Sequence, residues 1–214
     1  MRIAISTGGG DAPGLNAVIR AAVLAALDRG WDVLGIKRGY AGLLGDDEVI
    51  ALNREVVSGI GHLGGTILRT TNRGNPFHFP ERQPDGSIVE IDRSDELVER
   101  ANELGIEAIL TIGGDGSLAI AQRLFEKGVK IVGVPKTIDN DVSCTITSFG
   151  FDTAVNTAIE AIDKLHTTAE SHDRVIVLEV MGRDSGFIAL HSGLAGTADV
   201  IRIPEIPYNI ERVC

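Results

Sequence analysis

The chain has 214 residues, 43% hydrophobic and 23% charged, which excludes disorder, collagen and coiled coil and leaves enough length for one large or two small cores. Lys and Arg number 20 against 30 Asp and Glu, a net charge of −10. The average surface therefore repels nucleic acid and anionic membranes, and no partner of either kind is expected; any phosphate must be held by a local site.

Short runs rich in Val and Ile predict strands over Arg2–Thr7, Asp32–Lys37, Glu107–Ile112, Lys130–Val134, Arg174–Val180 and Val200–Ile203. They are mostly apolar throughout, as in strands buried on both faces of a parallel sheet. Helical periodicity covers Leu15–Arg29, Ser94–Leu104 with Ser94 as N-cap, Ser117–Lys127, Asp152–His166 and Gly186–Leu194. Gly30, Gly105 and Gly128 supply stops. Between Arg38 and Arg93 the periodicity weakens and Gly, Pro and Asn are frequent, predicting short strands and loops. The alternation implies a layered α/β fold with a largely parallel sheet. From Tyr208 onward the chain reads as an N-capped helical turn that stops, as expected of a longer protein cut there.

No apolar run reaches the ~18 residues of a membrane span, and the N-terminus lacks the pattern of a secretory leader, so the cytoplasm is the expected compartment. Cys144 and Cys214 are the two cysteines; without metal-ligand spacing they read as free thiols.

Three segments follow candidate strands, where open α/β sheets place their ligands. In Gly8-Gly9-Gly10-Asp11-Ala12-Pro13-Gly14, glycines allow close backbone approach and a helix N-terminus offers free N–H groups, the chemistry of a phosphate cradle. An ordinary strand-to-helix turn uses the same residues. Gly113-Gly114-Asp115-Gly116-Ser117 adds a carboxylate suited to Mg²⁺ on a triphosphate or pyrophosphate, or to capping the next helix. Pro135-Lys136-Thr137-Ile138-Asp139-Asn140-Asp141 sets paired carboxylates beside Thr and Lys. That set suits proton abstraction from an alcohol next to phosphate charge, while a self-bonded Asx turn is the plainer reading. A fourth segment, Met181-Gly182-Arg183-Asp184-Ser185-Gly186, offers Arg183 as a fork for phosphate. Arg174, at the other end of that predicted strand, is either a solvated charge or a group reaching a neighbouring subunit's ligand.

Together with Leu15-Asn16, Glu179-Val180 and Phe149-Gly150-Phe151-Asp152-Thr153-Ala154, these segments resemble the 6-phosphofructokinase family in order and spacing over nearly the whole chain. The resemblance implies a phosphofructokinase-like α/β fold. A phosphoryl-donor lobe would cover residues 1–137 and an incomplete sugar-phosphate lobe 138–214, with the remaining site groups and covering elements encoded beyond Cys214. It implies phosphorylation of fructose 6-phosphate at C1 with ATP and Mg²⁺, in glycolysis, by a homo-oligomer. Asp139 would be the base, supported by Asp141 and Thr137, with Arg183 beside the reacting centre. Thr137, Ile138, Asp139, Met181, Gly182 and Arg183 would meet the sugar phosphate, joined by Arg174 across a subunit interface. Gly10, Tyr40, Arg73, Gly74, Gly114, Asp115, Gly116, Ser117 and Lys136 would line the donor site, and Asp115 would hold Mg²⁺. Pyrophosphate users that resemble this chain carry Asp at the place of Gly116 and Lys at that of Lys136, so the sequence is mixed. The open space at Gly116 favours ATP, with pyrophosphate as the alternative. Leu24 stands where allosteric members have an effector arginine, so control by ADP or phosphoenolpyruvate is not expected. By itself the chain is expected to be inactive, leaving a non-catalytic Mg·ATP-binding polypeptide as a further reading; an NAD or lipid kinase ranks lowest, lacking reason for the Thr-Ile-Asp-Asn-Asp and Met-Gly-Arg segments.

Overall fold

The computed structural model describes residues 1–45 and 48–213; Cys214, read above as a free thiol, lies outside them, and Cys144 is a free, exposed thiol. The chain divides into two compact units, Met1–Lys136 and Thr137–Cys214.

The first unit is built on strands β1 (Arg2–Thr7), β2 (Asp32–Ile36), β3 (Val49–Leu52), β6 (Ala108–Gly113) and β7 (Ile131–Thr137), in the order β3-β2-β1-β6-β7. β1 pairs in parallel with β2 (Ile3↔Val33) and with β6 (Ile5↔Leu110), and β6 with β7 (Leu110↔Val132). β3 closes one side antiparallel to β2, and β4 (Phe79–Arg82) with β5 (Ile88–Ile91) forms a separate hairpin. The weak periodicity of residues 38–93 thus conceals short strands, as expected. From β1 the chain crosses through helix α1 (Leu15–Leu27) to β2; from β6 it crosses through α3 (Asp115–Glu126) to β7 on the other side. The order reverses between β1 and β6, which opens a crevice at their carboxyl ends.

Alternation along the strands fills both faces. Ile5, Val33 and Ile112 pack with Leu15, Ile19 and Val23 of α1. Ala4, Ile36 and Ile109 pack with Leu97 and Ala101 of α2 (Ser94–Glu103) and with Leu124 of α3. Two helix starts differ from expectation. Ser94 is the first helical residue rather than the cap, because Asp92 accepts from its N–H (2.9 Å) and hydroxyl (2.6 Å). α3 begins at Asp115, two residues before Ser117, and Asp115 makes no cap hydrogen bond.

The second unit holds the short β8 (Phe149–Gly150) and two packed helices, α4 (Phe151–Ser171) and α5 (Phe187–Ala195). Its buried core is small: Phe151, Val155, Ala158 and Ile188, with Ile138 and Val180 half-buried against it. His166 of α4 lies 2.7 Å from the carbonyl of Gly196, the C-cap of α5. The predicted strands Arg174–Val180 and Val200–Ile203 are irregular. A strand exists through its ladder, and among the described residues these segments join none; Val175 and Val177 are 96% and 89% exposed. Residues 210–212 form a short turn whose Asn209 side chain accepts from Glu211 N–H at 2.8 Å.

Candidate active site

At the reversal point the glycine loops meet. The amide of Gly8 donates to the Ile112 carbonyl at 3.0 Å, tying the end of β1 to the end of β6. The Ser117 side chain is packed between them: a Cβ at Gly8 would stand 2.5 Å from its Oγ, and one at Gly113 would strike its Cβ. A side chain at Gly113 would displace Ser117, and one at Gly8 would force its hydroxyl to turn away. A Cβ at Gly9 would lie 3.6 Å from Ser117 Oγ and 3.7 Å from Lys136 Nζ, which brings this lysine, from the end of β7, to the same point. A Cβ at Gly10 or Gly116 would meet nothing within 4 Å, so the backbone there is open to a ligand.

Lys136 is 4% exposed, and its ammonium donates to the Gly10 carbonyl. Burial pulls its pKa below the ordinary lysine value, and the nearby Asp11 carboxylate acts in the opposite sense. An almost buried cation facing an open glycine loop is suited to a transferring phosphoryl group. Asp115 is exposed in the first turn of α3, where the helix dipole favours its charge. Among the described residues no group of three or more His, Cys, Asp and Glu side chains converges as a metal cage. A lone carboxylate beside an open glycine backbone fits Mg²⁺ nonetheless, since that ion takes one or two carboxylates and keeps its waters.

In the second unit Asp139 is half-buried. Burial raises its pKa above the ordinary aspartate value; the neighbouring Asp141 carboxylate adds to this and the Arg183 guanidinium opposes it. The three groups expected at the reacting centre thus feel one another. The loop is held by side chains: Thr137 Oγ1 accepts from Asp139 N–H (3.1 Å), and Ser185 Oγ donates to the Asp139 carbonyl (2.9 Å). Asn140, at φ 56°, accepts from Ser148 N–H (2.9 Å), while Ser148 Oγ donates to the Thr137 carbonyl (2.9 Å). The segment 181–186 turns at Gly182 (φ 149°), where a Cβ would strike the Ser185 carbonyl. Arg183 is presented outward, with Nε donating to Asp184 at 2.9 Å, and Met181 is exposed.

Other expected residues fall elsewhere. Arg174 lines a concavity of about 410 Å³ with His166, Glu170, Asp173 and Asp199, at the end of α4. Ile138 packs onto the second unit's core, so its backbone is what remains for a ligand. Tyr40 is 4% exposed among Ile36, Leu43 and Phe77, with its hydroxyl 2.7 Å from Thr111 Oγ1. Burial pushes its phenol up to about 12; the ring forms the core below the loops rather than an open face. Arg73 is exposed, its N–H donating to Thr71 Oγ1 at 3.1 Å, and Gly74 is fitted against Thr71 and Ala41. Thr7 and Asn16, both buried and both bonded to the 63–71 segment, had no role assigned from the sequence, where Thr7 ended a predicted strand and Asn16 only extended the resemblance. The one available signal was Asn16, a polar side chain on the otherwise apolar face of a helix.

A mostly parallel sheet with open glycine loops and a buried lysine at its reversal point defines an α/β chain of the class that places its ligands at the carboxyl ends of its strands. Residues 2–214 match the family model described as Phosphofructokinase, and the chain belongs to that family. It is 56% identical, over 99% of its own length and 58% of the relative's, to the ATP-dependent 6-phosphofructokinase of Chloroflexus aurantiacus. It is 52% identical, over 100% of its length and 59% of the relative's, to the pyrophosphate--fructose 6-phosphate 1-phosphotransferase of Streptomyces coelicolor. Among solved structures, Pichia pastoris phosphofructokinase in the T-state superposes with a TM-score of 0.81 and 35% identity, over 96% of this chain and 22% of that one. The chain thus spans 58% of the length of its curated relative from Chloroflexus.

Proposed function

We propose that the chain carries the donor-binding and proton-abstracting parts of a phosphofructokinase that transfers a phosphoryl group from ATP to the 1-hydroxyl of fructose 6-phosphate, in the cytoplasm. The convergence of Gly8, Ser117 and Lys136 where the sheet order reverses carries this reading. Gly10, Gly74, Gly114, Gly116, Ser117 and Arg73 would receive the donor, with Lys136 neutralising the phosphoryl that moves. Asp115 would hold Mg²⁺, which would supply positive charge against that of the donor phosphates. Asp139 takes the proton of the 1-hydroxyl, helped by a pKa raised above the ordinary aspartate value. Thr137 and Ser185 hold the backbone of that loop, and Asp141 keeps the base from becoming too weak. Arg183, with Met181 and Gly182, would bind the sugar phosphate and offset charge developing on the transferred group. Arg174, exposed and apart, would serve the sugar phosphate of a neighbouring copy in a homo-oligomer.

Pyrophosphate is the second reading, favoured by the buried ammonium of Lys136 and by the name of the Streptomyces coelicolor relative. The open space at Gly116 favours ATP. The deciding assay uses a chimera in which this chain replaces the matching part of the Chloroflexus aurantiacus relative, with fructose 6-phosphate and either donor. Turnover with ATP supports the first reading, turnover only with pyrophosphate the second, and turnover with neither overturns both. Gly116→Asp should depress ATP use far more than pyrophosphate use, since its carboxylate enters the space of an α-phosphate; equal losses would refute the selectivity argument.

A further inference from the structure

We infer that Asn16 is a positioning residue that locks the 63–73 segment, with Arg69 and Arg73, in register against the Gly8–Gly14 loop. Its purpose rests on the donor-site reading of those loops. Asn16 sits in the first turn of α1, the helix whose N-terminus carries the glycine loop, and is 2% exposed. Its Nδ2 donates to the carbonyls of Leu63 (3.1 Å) and Gly64 (3.2 Å), and its Oδ1 accepts from Ile67 N–H (2.9 Å). Both donor hydrogens and the acceptor are occupied, and the reversed amide would set a donor against the Ile67 N–H. Aspartate lacks the donors, leucine lacks everything, and glutamine is one methylene too long.

The seam continues toward the arginines. Thr7 Oγ1 donates to the Arg69 carbonyl (2.8 Å) and lies 3.2 Å from Thr66 Oγ1, which accepts from Leu68 N–H at 3.1 Å. Thr70 Oγ1 donates to the Gly9 carbonyl, and Gly9 N–H reaches the Thr71 carbonyl at 3.4 Å. Arg69 sits at φ 56°, a conformation that a non-glycine residue keeps only when its surroundings hold it. One helical turn therefore registers two phosphate-facing loops to the same frame. A buried amide in an apolar helix face is a costly way to gain stability, whereas a fully satisfied one fixes geometry.

The test is hydrogen exchange on the 214-residue chain, with Asn16→Ala, Asn16→Asp and, as a core control on the same helix, Ile19→Val. Losing one satisfied buried amide should speed exchange of residues 63–73 about tenfold, leaving β1, β2 and β6 unchanged. Asn16→Asp retains the acceptor for Ile67, so residues 63–65 should loosen more than Ile67. Ile19→Val should produce no local effect. If Asn16→Ala does not fold, Thr66→Ala, which cuts the seam at its next link, should loosen residues 66–71. Titration with Mg·ATP and Mg·pyrophosphate adds the functional arm, with both affinities falling about tenfold in Asn16→Ala and holding in Ile19→Val. Unchanged exchange at 63–73, or a rise spread evenly over the first unit, overturns the inference. A parent chain that binds neither donor defeats the donor-site reading instead, and the exchange data still decide the role of Asn16.

Discussion

The two units hold their loops in different ways. In the first, the glycine loops hang from β1 and β6, whose faces are both covered by apolar side chains, and their positions follow from backbone ladders. In the second, the loop of Asp139 and Asp141 depends on side-chain hydrogen bonds from Thr137, Asn140, Ser148 and Ser185 beside a core of a few residues. A sheet makes a loop's position a property of the whole layer. A web of hydroxyls makes it a property of each bond, which leaves the carboxylate loop open to single substitutions.

The largest expected effect concerns the chemistry placed on the softer support. In the chimera, Asp139→Ser should lower turnover by about 10²- to 10⁴-fold with little change in sugar-phosphate affinity, the usual worth of a positioned base; steady-state kinetics that show near-normal turnover would remove Asp139 from that role. The contrast in packing predicts the next effect. Leu124→Ala, in the first unit's core, should cost near the upper end of about 2–5 kcal/mol, and Ile188→Ala near the lower end, because the smaller core can collapse around the gap. Denaturant midpoints measure both, and equal losses would mean that the units are equally rigid. Within the first unit, Gly113→Ala should destabilise by about 1–3 kcal/mol through overpacking against Ser117, whereas Gly116→Ala should leave the melting temperature nearly unchanged.

The smallest expected effect is a change of pH dependence. Asp139's folded pKa lies above its unfolded value, so the folded state binds the proton more tightly. Stability therefore falls as pH rises from the unfolded aspartate value through the raised one, and the full penalty remains above it. As the proposed base, Asp139 must be ionised to act, so activity has the opposite need and should be lost as pH falls through that same raised value. Asp141→Asn should move this acid limb downward, because a carboxylate that disfavours ionisation is gone; Arg183→Gln should move it upward. A pH–rate profile that shifts the same way in both variants would refute the assigned coupling.

Much of this molecule was legible in its sequence. The apolar runs read over Arg2–Thr7, Asp32–Lys37 and Glu107–Ile112, with the glycine loops after the first and third, are local patterns, and the strands stand at Arg2–Thr7, Asp32–Ile36 and Ala108–Gly113. What only the tertiary structure decided involves partners distant in the chain. Arg174–Val180 has the composition of a buried strand, yet its state depends on a neighbour for its ladder, and composition carries no information about that neighbour. Tyr40 reads as a residue beside a ligand until Thr111 and the surrounding core enclose it. Lys136 gains its buried contact from Gly10, 126 residues earlier, and Asn16 its three bonds from residues about fifty positions on. Periodicity and turn chemistry act over a few residues and are written along the chain, whereas burial, ladder pairing and the satisfaction of buried polar groups are set by what the fold brings beside each residue.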